Sequence, residues 1–422
     1  MNPKEQDNNS PTIPLLASYD DVEKGNGVLK CTGTSFFETT FNGLNSISGV
    51  GILSIPYALS NGGWLSLILL FIVASATFYT GLLIKRCMDF DPNIRTYPDV
   101  GDKAFGTRGR MVVSIFMHLE LYLVATGFLI IAVDNLHNLL AELELDFYGI
   151  SIGGRRSLVI IVALVMMPTV WIKNMRTLSY VSATGVLASV VILGSVLWVG
   201  TFDDVGFHNK GTLLNWTGLP TAFSLYTFCY CAHPVFPTLY TSMRNQRQFS
   251  WVLLLCFLFC SVTYASMAIL GYLMFGSEVE SQITLNLPTN NVSSKVAIYT
   301  ALVTPLAKYS LMLRPIIDGI EDLIQSHSGK KSYGKFVRTI LVISSAVVAL
   351  TLPFFGYLMS LVGAFLSVTA SILIPCFCYL KISGAHRKLG VEVTIIGFIV
   401  LMGLVILVTG TYTSLLQIIQ NL

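Results

Sequence analysis

The stretch "GLNSISGVGILSIPYALSNGGW", residues 43–64, lies where a first membrane span is expected, yet it holds five glycines, four serines and a proline. In a helix interior each Gly costs ~1 kcal/mol relative to Ala, and a Pro ~3 kcal/mol. A helix that only had to cross lipid gains nothing from them. The stretch therefore predicts a helix interrupted in mid-membrane around Ser48–Gly51, and the surrounding sequence has to supply a reason for the break.

The membrane setting follows from composition. Hydrophobic residues make up 53% of the chain and charged residues 12%, against roughly 25% charged in an average soluble domain. Apolar runs recur along nearly the whole length, each close to the ~20 residues needed to cross a bilayer core. The net charge of +3 implies no nucleic-acid partner, because the basic residues lie between the runs. Residues 1–33 are polar and rich in Asn, Asp, Pro and Ser. They lack the layout of a cleaved signal peptide and read as a disordered cytosolic tail. Within it, "YDDV" (Tyr19 to Val22) has the form of an endomembrane sorting signal, a short pattern that solvated linkers also carry.

Eleven spans are expected, near 34–60, 63–86, 110–140, 156–173, 177–201, 219–242, 250–275, 295–323, 336–352, 354–380 and 391–416. Placing the N-terminus in the cytosol leaves only Arg155, Arg156, Lys210 and Lys295 on the opposite face, as the positive-inside rule requires. The sequons at Asn215 ("NWT") and Asn291 ("NVS") fall on that opposite face, with the C-terminus. Eight cysteines are present, and their apolar or cytosolic settings imply no disulfide framework. The two C-x-C pairs, Cys229/Cys231 and Cys376/Cys378, read as packing residues, because helical neighbours two apart do not face each other. No metal or cofactor is expected.

The sixth span repeats the oddity of the first. "LYTFCYCAHPVFPTLY", residues 225–240, puts His233, Pro234 and Pro237 in mid-membrane. Interrupted segments that each begin a group of five spans point to an inverted-repeat carrier, here about 34–201 and 219–380, with an extra helix at about 391–416. Unwound backbone at membrane depth is tolerated only where protein buries it or it lines a cavity. There its N–H and C=O groups can bind a carboxylate and an amine. Gly and Pro also serve simply to kink and pack spans, but two breaks in corresponding places favour a binding role.

At these residues the chain closely resembles a known family. "SFFETTFNGLNSISGVGILSIPYALSNGGW", "YTGLLIKRCMD", "TYPDVGDKAFG" and "CAHPVFPTLYTSM" are similar to the plant vacuolar amino-acid transporter branch of the amino acid/auxin permease family. The resemblance covers nearly all of the chain after residue 33. It implies an all-α integral membrane protein of the LeuT type, with two inverted five-helix repeats plus an eleventh helix. It also implies proton-coupled movement of amino acids across the vacuolar membrane by alternating access. Carried onto this chain, the first break is Ser48, Gly49, Val50 and Gly51, and the second runs from Phe228 through Cys229, Tyr230 and Cys231 to His233. Ser46 and Asn42 join the substrate set. At about Asn42, lysosomal symporters of the wider family have a histidine, so proton coupling here must use another group.

Ionisable side chains inside the spans supply that group. A charge at mid-bilayer costs at least ~2.5–3.5 kcal/mol, so each needs a reason. Lys308, near the centre of the eighth span, is the first candidate. In LeuT-type folds this span meets the first beside the substrate, and an ammonium there takes the place of a bound cation. Glu120 and His118 sit in the inner third span at i and i+2, so at most one faces a pathway; Glu120 is the better candidate, with Tyr122 as an aromatic wall. His233 is a third proton candidate or a cap for the broken helix. Arg314 and Asp318, spaced i and i+4, read as an intrahelical ion pair.

Three rivals remain at this stage: a sodium-coupled carrier of the same fold, against which Lys308 speaks; an amino-acid sensor without net transport; and a membrane enzyme. For the last there is no HExxH pair, Asp-rich cluster or nucleophile–base motif in the spans. Substrate identity and the choice between symport and antiport are not written in the residues. The topology makes a direct prediction. Asn215 and Asn291 are the expected glycan acceptors and Asn8 is not. Glycosidase-sensitive gel shifts of the single Asn→Gln variants check this, and a glycan on Asn8 would invert the orientation.

Overall fold

A computed structural model gives the fold. It describes residues 33–421 except 50, 141–145, 148–149, 152–153, 172–174, 204, 329–333 and 386–389, and no side chains of 146–151, 175–184, 307 and 322–328. The tail pattern at Tyr19–Val22, Asn8 and Cys31 lie outside these residues.

Among the described residues the regular structure is helical apart from one short antiparallel strand pair. The first apolar run holds two helices, α1 (Phe36–Ile47) and α2 (Gly51–Gly62). α3 (Ser66–Phe90), α4 (Tyr97–Leu140), α5 (Arg155–Trp171) and α6 (Met175–Phe202) follow, with the strand pair β1 (Asp146–Phe147) and β2 (Ile150–Ser151) between α4 and α5. The sixth run is divided as well, into α7 (Leu219–Cys229), a 3-10 turn at His233–Val235 and α8 (Phe236–Ser242). After α9 (Phe249–Phe275), α10 (Val292–Ser328) and α11 (Gly334–Thr351) comes α12 (Phe355–Leu361). Two π-helical segments, Val362–Ser367 and Thr369–Leu373, carry it into α13 (Ile374–Ser383). α14 (Val391–Asn421) closes the chain.

Among the described residues eight helical stretches are long and apolar enough to cross a bilayer. The three runs that fall short are the two divided ones and α5, which is 17 residues long. The helix of the third span begins ahead of the expected span, at Tyr97 in the polar loop. α4 runs through it, changing direction at Gly106, whose φ of 66° lies in the left-handed region that an L side chain rarely adopts.

Local chemistry fixes where the first helix begins. Ser35 caps α1: its Oγ accepts from Glu38 N (3.3 Å) while Glu38 Oε2 accepts from Ser35 N (2.7 Å). Just ahead of the cap, Thr34 N donates to Ser242 O (2.7 Å) and Arg244 N to Thr34 O (3.1 Å). The entrance of α1 is thus fastened to the exit of α8.

Burial sorts the helices into centre and rim. The rod from α12 through α13 has 78% of its most apolar window buried, whereas α14 has 17%. α2 packs on α7 and α9, α1 on α9 and α6, and α10 on α4 and α6, so both divided runs lie inside the bundle. Outward faces carry exposed Leu164, Trp198, Leu258, Phe398, Leu401 and Val408, which suits hydrocarbon rather than water. At the centre packing is close. A Cβ on Gly363 would lie 2.0 Å from Ser224 O, so only glycine lets the first π segment meet α7. Arg314 and Asp318 form the intrahelical pair at 2.9 Å.

α14 is held at the rim through a buried pair of hydroxyls, Ser360 and Ser414, whose Oγ atoms are 2.8 Å apart. That separation is compatible with disulfide geometry. Ser360→Cys/Ser414→Cys should therefore cross-link on mild oxidation, with a linked peptide in the mass spectrum. Two thiols that stay free under oxidant would place α14 elsewhere.

Candidate functional site

A broken helix leaves backbone groups without partners, and in a bilayer each costs several kcal/mol unless protein satisfies it. The last turn of α1 is satisfied from three sides. Ser48 N donates to Leu44 O (2.6 Å) and Gly49 N to Ile47 O (2.8 Å). From α9, Tyr264 Oη donates to Ile47 O (2.7 Å) and also lies 3.2 Å from Cys229 O at the end of α7, so one buried phenol serves both breaks. From α10, Lys308 Nζ donates to Ser48 O (3.2 Å) and Asn45 O (3.4 Å). Lys308 is 3% exposed, which excludes snorkelling to a surface. α6 completes the arrangement. Ser189 Oγ is 2.6 Å from Ser48 Oγ, and Gly185 leaves room for the lysine, since a Cβ there would lie 2.8 Å from Nζ and 1.9 Å from Asn45 Oδ1.

The two breaks touch. A Cβ on Gly51 would sit 2.6 Å from Cys229 Sγ and 3.2 Å from Cys229 Cα. Gly49 is different: its nearest atom would be 3.9 Å away, so the space beside it is open.

That open space is a cavity of about 150 Å³. Asn45, Ser46, Gly49 and Gly51 of the first break line one side, and Phe228, Cys229, Cys231 and Ala232 of the second line another. Met117, Leu121, Val124 and Phe128 of α4 and Leu311 and Met312 of α10 complete an apolar wall, in which Glu120 and Lys308 are the charged residues. Glu120 is 5% exposed. Its Oε1 accepts from Ser367 Oγ (2.5 Å) and from Cys231 Sγ (3.0 Å), and Cys231 Sγ in turn accepts from Ser371 Oγ (2.7 Å). Both serines belong to the π-helical stretch. A pocket with backbone amides at one helix start, carbonyls at two helix ends and two charges in apolar walls has the groups needed to hold a small zwitterion.

The sequence candidates divide on this geometry. Ser46, Gly49, Gly51, Phe228, Cys229, Cys231, Glu120 and Lys308 are brought together around the cavity. Others face away. Asn42 is one turn earlier, where its carbonyl accepts from Ser46 Oγ (2.8 Å). Ser48 turns its hydroxyl to Ser189. Tyr122, expected as an aromatic wall, donates instead to Ser344 Oγ on α11 (2.9 Å). Tyr230 stacks on Phe257, ring planes 9° apart, and donates to Ser261 Oγ (2.8 Å). His233 is fully buried against α3, its Nε2 donating to Thr77 O (3.0 Å) and 2.9 Å from Thr80 Oγ1. It is not among the residues that line this cavity, and it ties the second break to a neighbouring helix. Val50 lies outside the described residues. His118 pairs with Ser114 (3.1 Å), away from the cavity.

The sequence reading did not single out Gly185, Ser189, Tyr264, Ser367 and Ser371. Ser367 and Ser371, spaced four apart in "FLSVTASIL", offered the one sequence signal, a same-face hydroxyl pair inside an apolar run. Nothing local distinguishes Tyr264 from the other aromatics of its helix. Among the described residues no cluster of His, Cys, Asp and Glu could hold a metal ion.

Comparison with known proteins places this architecture. The profile of the family described as transmembrane amino acid transporter protein matches residues 32–416. Among Arabidopsis thaliana proteins, the chain is 57% identical over 389 residues to "Amino acid transporter AVT1I", covering 92% of this chain and 96% of that protein. It is 58% identical over 387 residues to "Amino acid transporter AVT1J" (91% and 92%), and 28% identical over 435 residues to "Amino acid transporter ANT1" (96% and 97%).

The contact between the breaks is testable through the two glycines. Gly51→Ala should push them apart and cost ~1–3 kcal/mol of stability, as overpacking does, while Gly49→Ala should unfold at the temperature of the parent. Thermal unfolding of the purified proteins in detergent is the measurement. Coincident midpoints for the two variants would mean that the breaks do not touch.

Proposed function

Since the chain belongs to the transmembrane amino acid transporter protein family, we propose that it is a secondary active, proton-coupled carrier that moves amino acids across the vacuolar membrane by alternating access. It is not an enzyme, as the names of its family and relatives make plain. In this reading α1–α6 and α7–α13 are two five-span repeats of opposite orientation, α14 is the added eleventh span, and the N-terminus is cytosolic. The divided first and sixth runs, side by side at the cavity, support that reading.

The observation that carries it is the position of Lys308. Its ammonium donates to two carbonyls that the first break has freed, where a carrier driven by a metal cation would place the cation. Charge-assisted hydrogen bonds are about twice as strong as neutral ones. Losing the proton therefore weakens the hold of α10 on the end of α1, and regaining it restores that hold. The substrate's carboxylate takes the amides at the start of α2, and its amine takes the carbonyls at the end of α7. Proton and amino acid thus act on the same helix end, which is the linkage that coupling requires.

Lys308→Met keeps length and apolar packing and removes the charge. In proteoliposomes it should retain counterflow of amino acid at equal pH on both sides and lose accumulation driven by a pH gradient of either sign, by at least about tenfold. The sign that drives the parent protein tells antiport from symport. If the variant accumulates substrate as well as the parent does, Lys308 is not the proton carrier.

A further inference from the structure

The two charges of the cavity wall serve different breaks. The hydrogen bonds of Lys308 go to the first; those of Glu120 go to Cys231 of the second and to Ser367 of the π-helical wall. Glu120 is held in one orientation. Ser367 and Cys231 both donate to Oε1, and Ser371 supports Cys231 from behind. The wall itself is braced, because Tyr97 Oη donates to the carbonyl of Ala370. Oε2 has no hydrogen-bond partner among the described residues, on a side chain that lines the cavity beside Met117, Leu121 and Phe128. This oxygen is not sealed in by protein, so it stands open to whatever enters the cavity. π-Helical turns are rare and are frequently found at functional sites.

We infer that Glu120 is the specificity-determining residue of this cavity: Oε2 accepts a hydrogen bond from an amino-acid side chain that ends in a donor and repels one that ends in a carboxylate. The inference rests on the cavity being the amino-acid site. Donor-bearing side chains are hydroxyl, amide, ammonium and guanidinium, the longer ones laying their aliphatic stems along Leu121, Val124 and Met312. An apolar side chain leaves Oε2 as it is. A site built around a hydrogen bond discriminates far more sharply than an apolar pocket does.

Glu120→Gln gives the inference a signature of its own. The donors Ser367 and Cys231 hold the amide oxygen at the Oε1 position, so the amide nitrogen takes the place of Oε2. An acceptor becomes a donor with no change in shape. The experiment is uptake of lysine, serine, leucine and aspartate by the full chain in proteoliposomes, with leucine as the internal reference. In the parent, kcat/KM for lysine and serine relative to leucine should exceed that for aspartate by at least about tenfold. In Glu120→Gln that order should contract by about tenfold or reverse, aspartate gaining and lysine losing. Ser367→Ala, which removes one of the two donors that orient the carboxylate, should shift the ratios in the direction of contraction by a smaller factor.

An unchanged ranking in a Glu120→Gln protein that still transports leucine overturns the inference. So does a variant that keeps the ranking and counterflow but loses pH-driven accumulation of all four substrates equally, which would make Glu120 a proton carrier. A parent protein that takes up none of the four refutes the transport reading itself, and that result is distinct from either.

Discussion

Backbone polar groups stranded at membrane depth are the constraint on which the rest of this molecule depends. Ending α1 at Ile47 and α7 at Cys229 frees carbonyls in a region with no bulk water to donate to them. The surrounding helices are arranged to supply donors: Tyr264 from α9 for both breaks, and Lys308 from α10 for the first. Both are large buried side chains, and through them α9 and α10 each reach the end of α1. A helix pair that merely packed would need neither.

The same arrangement leaves backbone available to a ligand. Protein donors take up the carbonyls of Asn45, Ile47, Ser48 and Cys229, whereas Gly49 and Gly51 line the cavity without a side chain of their own. Gly51 permits contact between the two breaks, and Gly49 opens the space next to it. Two neighbouring glycines thus do different work, and the distance to the nearest atom separates them.

Charge is distributed with similar economy. Lys308 and Glu120 share a cavity, yet the hydrogen bonds of each belong to a different break and a different supporting helix. One ammonium closes a helix end. One carboxylate faces a π-helical wall, which brings Ser367 to it and Ser371 to its other donor, Cys231. Some charged groups near the ends of helices pair locally, as Arg314 does with Asp318 and Lys85 with Asp89, and others pair across the fold, as Arg86 does with Glu392. Such partly exposed pairs contribute little to stability.

The sequence by itself determined where helices lie and where two of them break, because run length and the positions of Gly and Pro are local properties. Helices or helix pairs occupy the apolar runs, and the interruptions fall at "SISGVG" and "CYCAHP". It also determined which buried charges needed an explanation, since a charge in an apolar run is costly until some partner satisfies it, and the run is visible without the partner. Only the tertiary structure decided which way the break residues face. Helical periodicity sets the phase of a side chain, and at an unwound segment that phase is lost. Hence Tyr230 and His233 turn to α9 and α3 although Cys229 and Cys231 beside them face the cavity. Tyr264, Gly185 and the two serines of the π-helical wall were invisible for the complementary reason. Each is an ordinary residue in an ordinary apolar run, and what makes it matter is a backbone group brought to it from a distant part of the chain.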